Sequence, residues 1–587
     1  MISPNVRRHS VRIAIFASCT LVVAAFYGSP SLLQANNQPT RSDVTGRVID
    51  AATGTGIQDA VVSLSETGRR DVRRVQTSGD GAFTFLDAPT GPLRLAAAHP
   101  GYESSTLGQR FLGDESAPPP FFVADVRSGA VLKLFKLAVI SGVVRDRDGR
   151  VLKGVAVRQF FRTSVAGHAQ FAAGASVTTD INGEYRLFDL HAGSYLVGLG
   201  PSGGVSAGMA TVTRESTTAF PMTFYPNAPS PSMAIPIELS SGDVRAGVDV
   251  TIGPERCGSL SGSLTGAEPR ANTVVEASLD EVQNDFPVAR TWTEANGHFF
   301  FRCLYPGTYV LRIRQFPAID VASGRQYQIG NGLTTIGRAA GSARSSEDVP
   351  LFWADQQVSV VGGEATDNVT IALHRGARIA GNVEVKGSGL APTVAGVAGS
   401  SIIVSRADGG HLDGLPLTVV GSKGEFVSAE LPPGRYTLLA MGPSAMSGFE
   451  VNGLPATAVD VSGQDVTGVV VKLDGRPGRL IGMVQTDQQS EIREASVYVF
   501  PQDHRAWVDF GPVPINLVET RAGPDGSYSV SGMMPGEYFA VAVATGRRFW
   551  REPDFLEKLA SQAVRVRIES GGPVTKNLPL ARIAVSR

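Results

Sequence analysis

Histidine and serine are the residues of this 587-residue chain whose spacing could support hydrolysis. The eight histidines are scattered singly, and none forms the His-x-x-Glu or His-Glu-x-x-His pattern of a zinc peptidase. Residues 204–208 read Gly-Val-Ser-Ala-Gly, the spacing of a nucleophile elbow. Such an elbow joins a strand to a helix, whereas Ser206 stands in a Gly- and Ser-rich stretch. We therefore predict no catalytic residue, and a hydrolase using Ser206 is the least favoured hypothesis.

Aspartates in glycine turns are the next candidates, because carboxylates could hold calcium. Asp146-Arg147-Asp148-Gly149 begins like such a loop, but the twelve-position pattern with its terminal Glu is missing. Turn formation explains these residues better. The chain also lacks the Gly-x-x-x-x-Gly-Lys sequence that cradles phosphates. We predict no metal site and no cofactor.

Two cysteines, Cys257 and Cys303, remain outside the N-terminal apolar run. In an exported chain, two cysteines within one domain favour a structural disulfide that closes a long loop. Two free, half-buried thiols are the alternative.

Aromatic residues cluster in the variable segments that precede repeated Gly turns. Exposed rings on loops can stack on sugars or anchor protein partners, and rings can equally pack as a flap against the protein itself. Both interpretations stay open for the six candidate ligand-contact residues: Phe224, Tyr225, Phe352, Trp353, Phe549 and Trp550.

The composition limits the class of partner. Lys and Arg number 53 and Asp and Glu 54, which gives a formal net charge of −1. Nucleic-acid binding needs a cationic excess, so we expect no nucleic-acid partner. Hydrophobic residues make up 42% of the chain, with 67 Gly and 36 Pro, a profile typical of short strands joined by many turns rather than of disorder.

The N-terminus has the order of a secretory signal. Arg7, Arg8 and Arg12 precede an apolar run, 13–27, and a polar Pro-containing stretch follows it. The run is short of the ~20 residues that a spanning helix needs. We predict a signal peptide over 1–35, with an uncleaved anchor as the alternative. After cleavage the chain does not span the membrane, and we predict a periplasmic, cell-surface or secreted location.

The rest of the chain repeats one signature five times. A Gly turn is followed by an aromatic residue two positions later and by a second Gly ten positions after the first. Each copy also has a Gly in its opening strand. The Gly–aromatic–Gly sets are Gly81-Phe83-Gly91, Gly183-Tyr185-Gly193, Gly297-Phe299-Gly307, Gly424-Phe426-Gly434 and Gly526-Tyr528-Gly536, and the opening glycines are Gly46, Gly142, Gly262, Gly381 and Gly482.

This spacing predicts antiparallel strands. Asp-Gly and Asn-Gly favour hairpin turns, and an aromatic residue two positions later lies on one face of the next strand. Short strands with turns every 8–12 residues predict β-sandwiches. We predict an all-β tandem array of five sandwiches: unit 1 (41–139), unit 2 (140–255), unit 3 (256–378), unit 4 (379–476) and unit 5 (477–587). Only residues 553–564 look helical, and the short linkers, such as 137–140 and 373–379, predict a semi-rigid rod.

Unit 1 resembles the carboxypeptidase regulatory-like domain. It reads Val-Thr-Gly-Arg-Val-Ile-Asp from Val44, Gly-Ile-Gln-Asp-Ala-Val-Val-Ser-Leu from Gly56 and Gly-Asp-Gly-Ala-Phe-Thr-Phe from Gly79. The resemblance implies a seven-stranded Greek-key sandwich of the transthyretin-like and Cna-B-like type, serving as an accessory, binding or spacing module. Units 2 and 5 resemble it nearly as well, whereas units 3 and 4 share mainly the glycine and aromatic core. The metallopeptidase domain that gives the family its name is absent from this sequence.

The favoured function is a non-catalytic exported scaffold, adhesion or binding protein of the cell envelope. The alternative is a carbohydrate-binding protein that uses the loop aromatics, because the resemblance extends to sandwiches with a carbohydrate-binding-like fold. The partner classes we expect are glycans or other envelope proteins.

Overall fold

The computed structural model confirms an all-β chain of tandem sandwiches. It describes residues 42–109, 121–126, 129–199, 218–266, 273–279, 289–315, 327–329, 334–336, 350–386, 394–410, 412, 415–441, 445–474, 477–486, 495–523, 525–544 and 546–583. The predicted signal peptide, 1–35, and the serine string, 204–208, lie outside these residues. Across the described ranges, no helix combines the length and apolar character that crossing a bilayer requires.

Unit 1 shows the topology that recurs along the chain. Its strands are β1 (Ser42–Asp50), β2 (Val61–Glu66), β3 (Val72–Gln76), β4 (Ala82–Ala88), β5 (Leu93–Ala98), β6 (Tyr102–Glu103), β7 (Ser105–Thr106) and β8 (Ala130–Lys136), with a 3-10 helix at Val123–Val126. The sheets β4-β1-β8-β6 and β3-β2-β5-β7 enclose one apolar cluster. Strand β1 pairs antiparallel with β4 and parallel with β8.

Unit 2 repeats this arrangement with a longer hairpin. Its strands are β9 (Ala138–Asp146), β10 (Ala156–Val165), β11 (His168–Thr178), β12 (Glu184–Leu190), β13 (Gly193–Leu199), β14 (Thr218–Ala219), β15 (Thr223–Phe224), β16 (Ile237–Leu239), β17 (Val244–Arg245), β18 (Val250–Ile252) and β19 (Glu255–Arg256), with a 3-10 helix at Pro231–Met233. Strand β9 lies between β12 and β17, and β10 pairs with β11 and β13. The β10–β11 hairpin extends beyond the sandwich.

Unit 3 has the same central pairings. Its strands are β20 (Gly258–Thr265), β21 (Val274–Leu279), β22 (Ala289–Trp292), β23 (His298–Leu304), β24 (Gly307–Gln315), β25 (Tyr327–Ile329), β26 (Thr334–Ile336), β27 (Phe352–Val360), β28 (Ala365–Ala372) and β29 (His374–Arg375). The sheets are β23-β20-β28 and β22-β21-β24-β27-β29, and β25 pairs with β26.

Unit 4 continues the pattern and draws residues from before its predicted start. It contains β30 (Ile379–Lys386), α1 (Val394–Val397), β31 (Ser401–Arg406), β32 (Thr418–Val419), β33 (Glu425–Val427), β34 (Gly434–Met441), β35 (Ala445–Val451), β36 (Leu454–Ala456), β37 (Val459–Val461) and β38 (Val466–Asp474). The sheets are β33-β30-β38-β35-β36 and β32-β31-β34-β37. Leu351 and Ala377 pack in this core although the predicted boundary assigns both to unit 3. The exact boundaries of the five units therefore remain predictions.

Unit 5 departs from the pattern because one strand joins its two sheets. It contains β39 (Gly478–Gln485), β40 (Ser496–Pro501), β41 (Val518–Arg521), β42 (Ser527–Met533), β43 (Gly536–Val543), α2 (Pro553–Ala560), β44 (Val564–Ile568), β45 (Pro573–Thr575) and β46 (Leu578–Ala581), with a 3-10 helix at His504–Trp507. Strand β46 pairs with both β39 and β43. Helix α2 lies within the segment that the sequence marks as helical.

The opening glycine and the signature aromatic residue of each unit face each other across a strand pair. The five pairs are Gly46–Phe83, Gly142–Tyr185, Gly262–Phe299, Gly381–Phe426 and Gly482–Tyr528. A Cβ atom on Gly46 would lie 2.2 Å from the Ala130 carbonyl oxygen and 2.5 Å from the Phe83 ring. Glycine is needed there because the ring and the parallel strand occupy the space of a side chain.

The tyrosine that follows the second glycine closes its own turn. In four units its hydroxyl donates to the carbonyl oxygen four residues earlier, at 2.6 to 2.9 Å: Tyr195 to His191, Tyr309 to Tyr305, Tyr436 to Pro432 and Tyr538 to Met534. Burial raises the pKa of Tyr309 to about 12. The repeated tyrosine is therefore a structural residue of the sandwich.

Candidate functional site: the junctions between units

Cys257 and Cys303 are joined by a disulfide whose Cα atoms lie 5.1 Å apart. Cys257 immediately precedes β20, and Cys303 lies near the end of β23, the strand that pairs antiparallel with β20. The bridge ties the start of unit 3 to its signature strand and closes a 46-residue separation. Its position makes it structural, because it spans two paired strands of one sandwich.

Cys303 occupies a β-bulge that recurs in other units. The register shifts at the equivalent place in units 1, 2, 3 and 5, where the inserted residues are Asp87, Asp189, Cys303 and Gly532. A bulge leaves one residue outside the regular pairing. This residue is free to vary between units and to make a connection that the repeated core does not need.

Unit 4 makes an ionic connection at the corresponding position. The Glu430 carboxylate is 3% exposed and lies 2.7 Å from Arg375 and 3.2 Å from Arg378. It also accepts a hydrogen bond from the Leu351 backbone N–H. Because these partners precede β30, Glu430 links the end of unit 3 to the core of unit 4.

Two of the six predicted ligand-contact rings are buried. Phe224 is 1% exposed and packs against Phe160, with ring centroids 5.3 Å apart. Trp550 is 2% exposed and lies 4.7 Å from the Tyr498 ring. These two side chains pack as flaps on the outer faces of their sheets, which is the other alternative that the sequence leaves open.

The other candidates are partly buried. Tyr225 packs against the unit 2 core and Phe352 against the unit 3 core. Trp353 packs against the unit 4 core, and its Nε1 donates to the Arg375 carbonyl oxygen at 3.3 Å. Trp353 therefore lies at the border between units 3 and 4.

Phe549 lies at a border between units that are distant in sequence. The Arg162 guanidinium of unit 2 lies 5.5 Å from the centre of the Phe549 ring, within the range of a cation–π contact. Arg162 also lies 2.9 Å from the Glu552 carboxylate, and Glu552 is 9% exposed. Unit 5 thus docks on β10 of unit 2 through one aromatic and one acidic side chain.

The tip of the β10–β11 hairpin inserts between units 4 and 5. The Ala166 carbonyl oxygen accepts a hydrogen bond from the Asp509 backbone N–H at 2.9 Å. Gly167 lies so close to unit 5 that a Cβ atom there would be 2.3 Å from the Trp507 carbonyl oxygen. On the other side, a Cβ atom on Gly409 of unit 4 would lie 2.2 Å from the Val165 side chain.

Asp509 joins three units through its side chain. One carboxylate oxygen lies 2.8 Å from His168 Nε2 of unit 2, and the other accepts a hydrogen bond from Arg435 of unit 4 at 2.6 Å. The Gly511 backbone N–H of unit 5 donates to the Ala407 carbonyl oxygen of unit 4.

Unit 5 also reaches unit 1, so the expected rod is wrong. Arg521 donates to the Gly108 carbonyl oxygen of unit 1, and Arg548 donates to the Ala192 carbonyl oxygen of unit 2 at 3.5 Å. Short linkers restrict neighbouring units, but they do not prevent the chain from turning back over several units. The turn is stabilised by segments outside the repeat, namely the β10–β11 hairpin and the β40–β41 and β43–β44 connections.

Metal and ligand chemistry has little support at these junctions. Among the described residues, no group of three His, Cys, Asp or Glu side chains is placed to hold a metal ion. A cavity between units 4 and 5 is lined by Met446, Phe449, Phe510 and Met534. Its volume of about 110 Å³ is smaller than the ~300–1,000 Å³ of ordinary ligand sites.

Sequence reasoning missed the charged residues that make contacts between units: Glu103, Arg162, His168, His191, Arg435, Asp509, Arg548 and Glu552. The available signal was the departure of units 2 and 5 from the repeat, since both carry long connections with aromatic and charged residues. Such a departure marks a candidate contact segment, but it does not identify the partner.

Residues 43–117 match the family model of the carboxypeptidase regulatory-like domain, which confirms the resemblance for unit 1. The chain is similar to a streptococcal ancillary pilin at 12% identity and a TM-score of 0.17, covering 56% of this chain and 99% of the pilin. It is also similar to the Bacillus anthracis TIE protein (12% identity, TM-score 0.16, 74% of each chain) and to the shaft pilin SpaA from Lactobacillus rhamnosus GG (12% identity, TM-score 0.18, 37% of this chain and 98% of the pilin). Comparison with curated proteins gave no match.

Proposed function

We propose that this chain is a non-catalytic exported scaffold protein of the cell envelope, whose five sandwich units form one body instead of an extended rod. The observation that carries the proposal is the contact of unit 5 with units 1, 2 and 4. A chain of independent spacers would need contacts between neighbours only. Contacts between non-neighbouring units instead fix the relative positions of surfaces across the whole array, which is what a scaffold requires.

The loop aromatics support this function more than glycan binding. A ring that stacks on a sugar must present a face to solvent, whereas Phe224 and Trp550 are buried and Trp353 and Phe549 contact cationic side chains. In this proposal the flaps stiffen each unit and seal the borders between units. The outer surfaces of the assembled body then remain available for other envelope proteins.

Small-angle X-ray scattering of residues 36–587 tests the single body. A compact chain of this length has a radius of gyration of about 24 Å. Five units end to end, each about 30 Å long, form a rod of about 150 Å with a radius of gyration of about 43 Å. We expect a value much nearer the first, and a value near the second would overturn the proposed arrangement.

Export is tested separately with a reporter that is active only outside the cytoplasm. Residues 1–40 fused to alkaline phosphatase should give active, shortened enzyme, because the signal is removed on export. A matched fusion in which Arg7, Arg8 and Arg12 are changed to Glu should lose this activity. Inactive, full-length reporter from the natural segment would contradict the proposed location.

A further inference from the structure

Two junctions between units have the same chemical composition. At the first, His168 of unit 2, Asp509 of unit 5 and Arg435 of unit 4 meet, with the carboxylate 2.8 Å from His168 Nε2 and 2.6 Å from Arg435. Each of the three residues belongs to a different unit. The carboxylate therefore links three bodies through one histidine and one arginine.

The second junction joins units 1, 2 and 5. His191 of unit 2 lies with Nδ1 2.8 Å from the Glu103 carboxylate of unit 1. Arg548 of unit 5 donates to the carbonyl oxygen of Ala192, the residue after His191. Histidine, carboxylate and arginine again come from three units, and both histidines come from unit 2.

The histidines of both junctions are open to solvent, while their carboxylate partners are more enclosed. The side chains of His168 and His191 are each 52% exposed, whereas those of Asp509 and Glu103 are 24% and 19% exposed. His191 can therefore exchange a proton with the medium, and the partly enclosed Glu103 carboxylate favours a positive partner. Histidine is the side chain whose charge changes in the range between about pH 5 and 8.

We propose that the second junction forms a proton-sensitive clasp, in which protonation of His191 tightens the docking of unit 2 on unit 1, beside Arg548 of unit 5. Loss of this proton at higher pH removes one charge from the junction and loosens the folded-back arrangement. This inference rests on the proposed single body and adds that its closure responds to the pH outside the cell.

The charged groups around His191 support the direction of this response. The hydrogen bond with Glu103 raises the pKa of His191, with Asp189 adding to the effect and burial and Arg548 opposing it. Because the pKa is raised in the closed form, its contribution to closure is complete below about pH 6.5, the ordinary value for histidine. The contribution is lost as the pH rises through the raised value.

The surroundings of His168 are also predominantly acidic. Besides Asp509, the carboxylate of Asp408 in unit 4 interacts with His168. Asp408 also forms an ion pair with Arg406 of the same unit. Arg435 is shared between Asp509 and Asp460. Arg406 and Arg435, the two arginines of unit 4 at this junction, are therefore each paired with a carboxylate.

The test measures the radius of gyration of residues 36–587 against salt concentration at about pH 5.5 and about pH 8, on the two sides of the histidine pKa. Salt screens exposed charges and so weakens these contacts. At the higher pH, a lower salt concentration should therefore be enough to expand the chain. The variant His191→Gln should lose this difference and expand at the lower concentration at both pH values.

His504→Gln is the matched control, because His504 lies 3.7 Å from Glu557 within unit 5. It removes a histidine–carboxylate pair that joins no two units and should leave the pH difference unchanged. A chain extended at every pH would refute the closed body and the clasp together. A compact chain with no pH difference would refute the clasp alone, and so would a His191→Gln variant that keeps the difference. The measurement on the unmodified chain decides the first outcome even if the variant fails to fold.

Discussion

Gly46 and its four counterparts are the residues on which each sandwich depends most directly. A signature ring lies close to four of these glycines, Gly46, Gly142, Gly262 and Gly482. At all five, a backbone carbonyl oxygen of the last part of the unit lies 1.8 to 2.3 Å from where a Cβ atom would be. Neither neighbour is a flexible side-chain end, since one is backbone and the other an aromatic ring in the core. The conformational freedom of glycine matters less here than its lack of a side chain.

We predict that Gly46→Ala destabilises unit 1 by about 1–3 kcal/mol, because the added methyl group overpacks the space between Phe83 and Ala130. Calorimetry should show an earlier transition, and hydrogen exchange should be faster in peptides of β1, β4 and β8.

Gly79→Ala is the matched control in the same unit, because a Cβ atom there would meet only the Gln58 side chain, at 3.9 Å. It should change the free energy of unfolding by no more than about 0.5 kcal/mol. Equal effects of the two substitutions would show that the close approach at Gly46 is unimportant.

The strand after the Gly turn combines a constant function with a variable one. Its aromatic residue pairs with the glycine of the opening strand in every unit, whereas its bulge holds Cys303 in unit 3. At the corresponding position, unit 4 uses Glu430. In both units this residue reaches the segment that precedes the opening strand. The element therefore supports the core with one residue and anchors the entry of the chain with another.

Removing the disulfide should destabilise unit 3 selectively. The double variant Cys257→Ala, Cys303→Ala should lose about 4 kcal/mol, the loop-closure contribution for a separation of 46 residues. Hydrogen exchange should locate the loss in β20 and β23. A reducing agent should reproduce it in the natural chain and have no effect on the double variant, and an unchanged unit 3 after reduction would contradict the prediction.

At the scale of the whole molecule, the insertions decide how the units are arranged. The repeated glycine–aromatic pairs lie within their own sandwiches and contribute no preference for one neighbour over another. The β10–β11 hairpin tip, by contrast, contacts units 4 and 5 together. Small, specific surfaces of this kind can orient large bodies because every unit they touch is rigid.

We predict that Gly167→Ala expands the molecule. Gly167 has a φ of +84°, and its Cβ atom would be 2.3 Å from the Trp507 carbonyl oxygen, so the substitution strains the turn and also pushes unit 5 away. Scattering should show a larger radius of gyration and easier expansion by salt.

Gly149→Ala separates these two effects. Gly149 has a φ of +81° in another turn of unit 2, and its Cβ atom would meet nothing within 4 Å. Both substitutions should reduce the stability of unit 2 by about 1–2 kcal/mol, but only Gly167→Ala should change the radius of gyration. Equal radii for the two variants would count against the hairpin tip as a docking element.

The sequence by itself determined the sandwich units, because the information lies in short, local spacings. Two glycines ten positions apart and an aromatic residue between them specify a turn, a strand and its buried face. A glycine in the opening strand then indicates where that ring can pack. These relations need no knowledge of distant residues, and they hold five times over.

Only the tertiary structure decided how the units meet. His168 and Asp509 are 341 positions apart, and Arg162 and Glu552 are 390 apart, so no periodicity connects them. Charged side chains on loops are ordinary surface residues until another unit approaches them. Trp353 and Trp550 are both aromatic residues in variable segments. Only packing in three dimensions distinguishes Trp353, at the border of two units, from Trp550, buried on the outer face of one sheet.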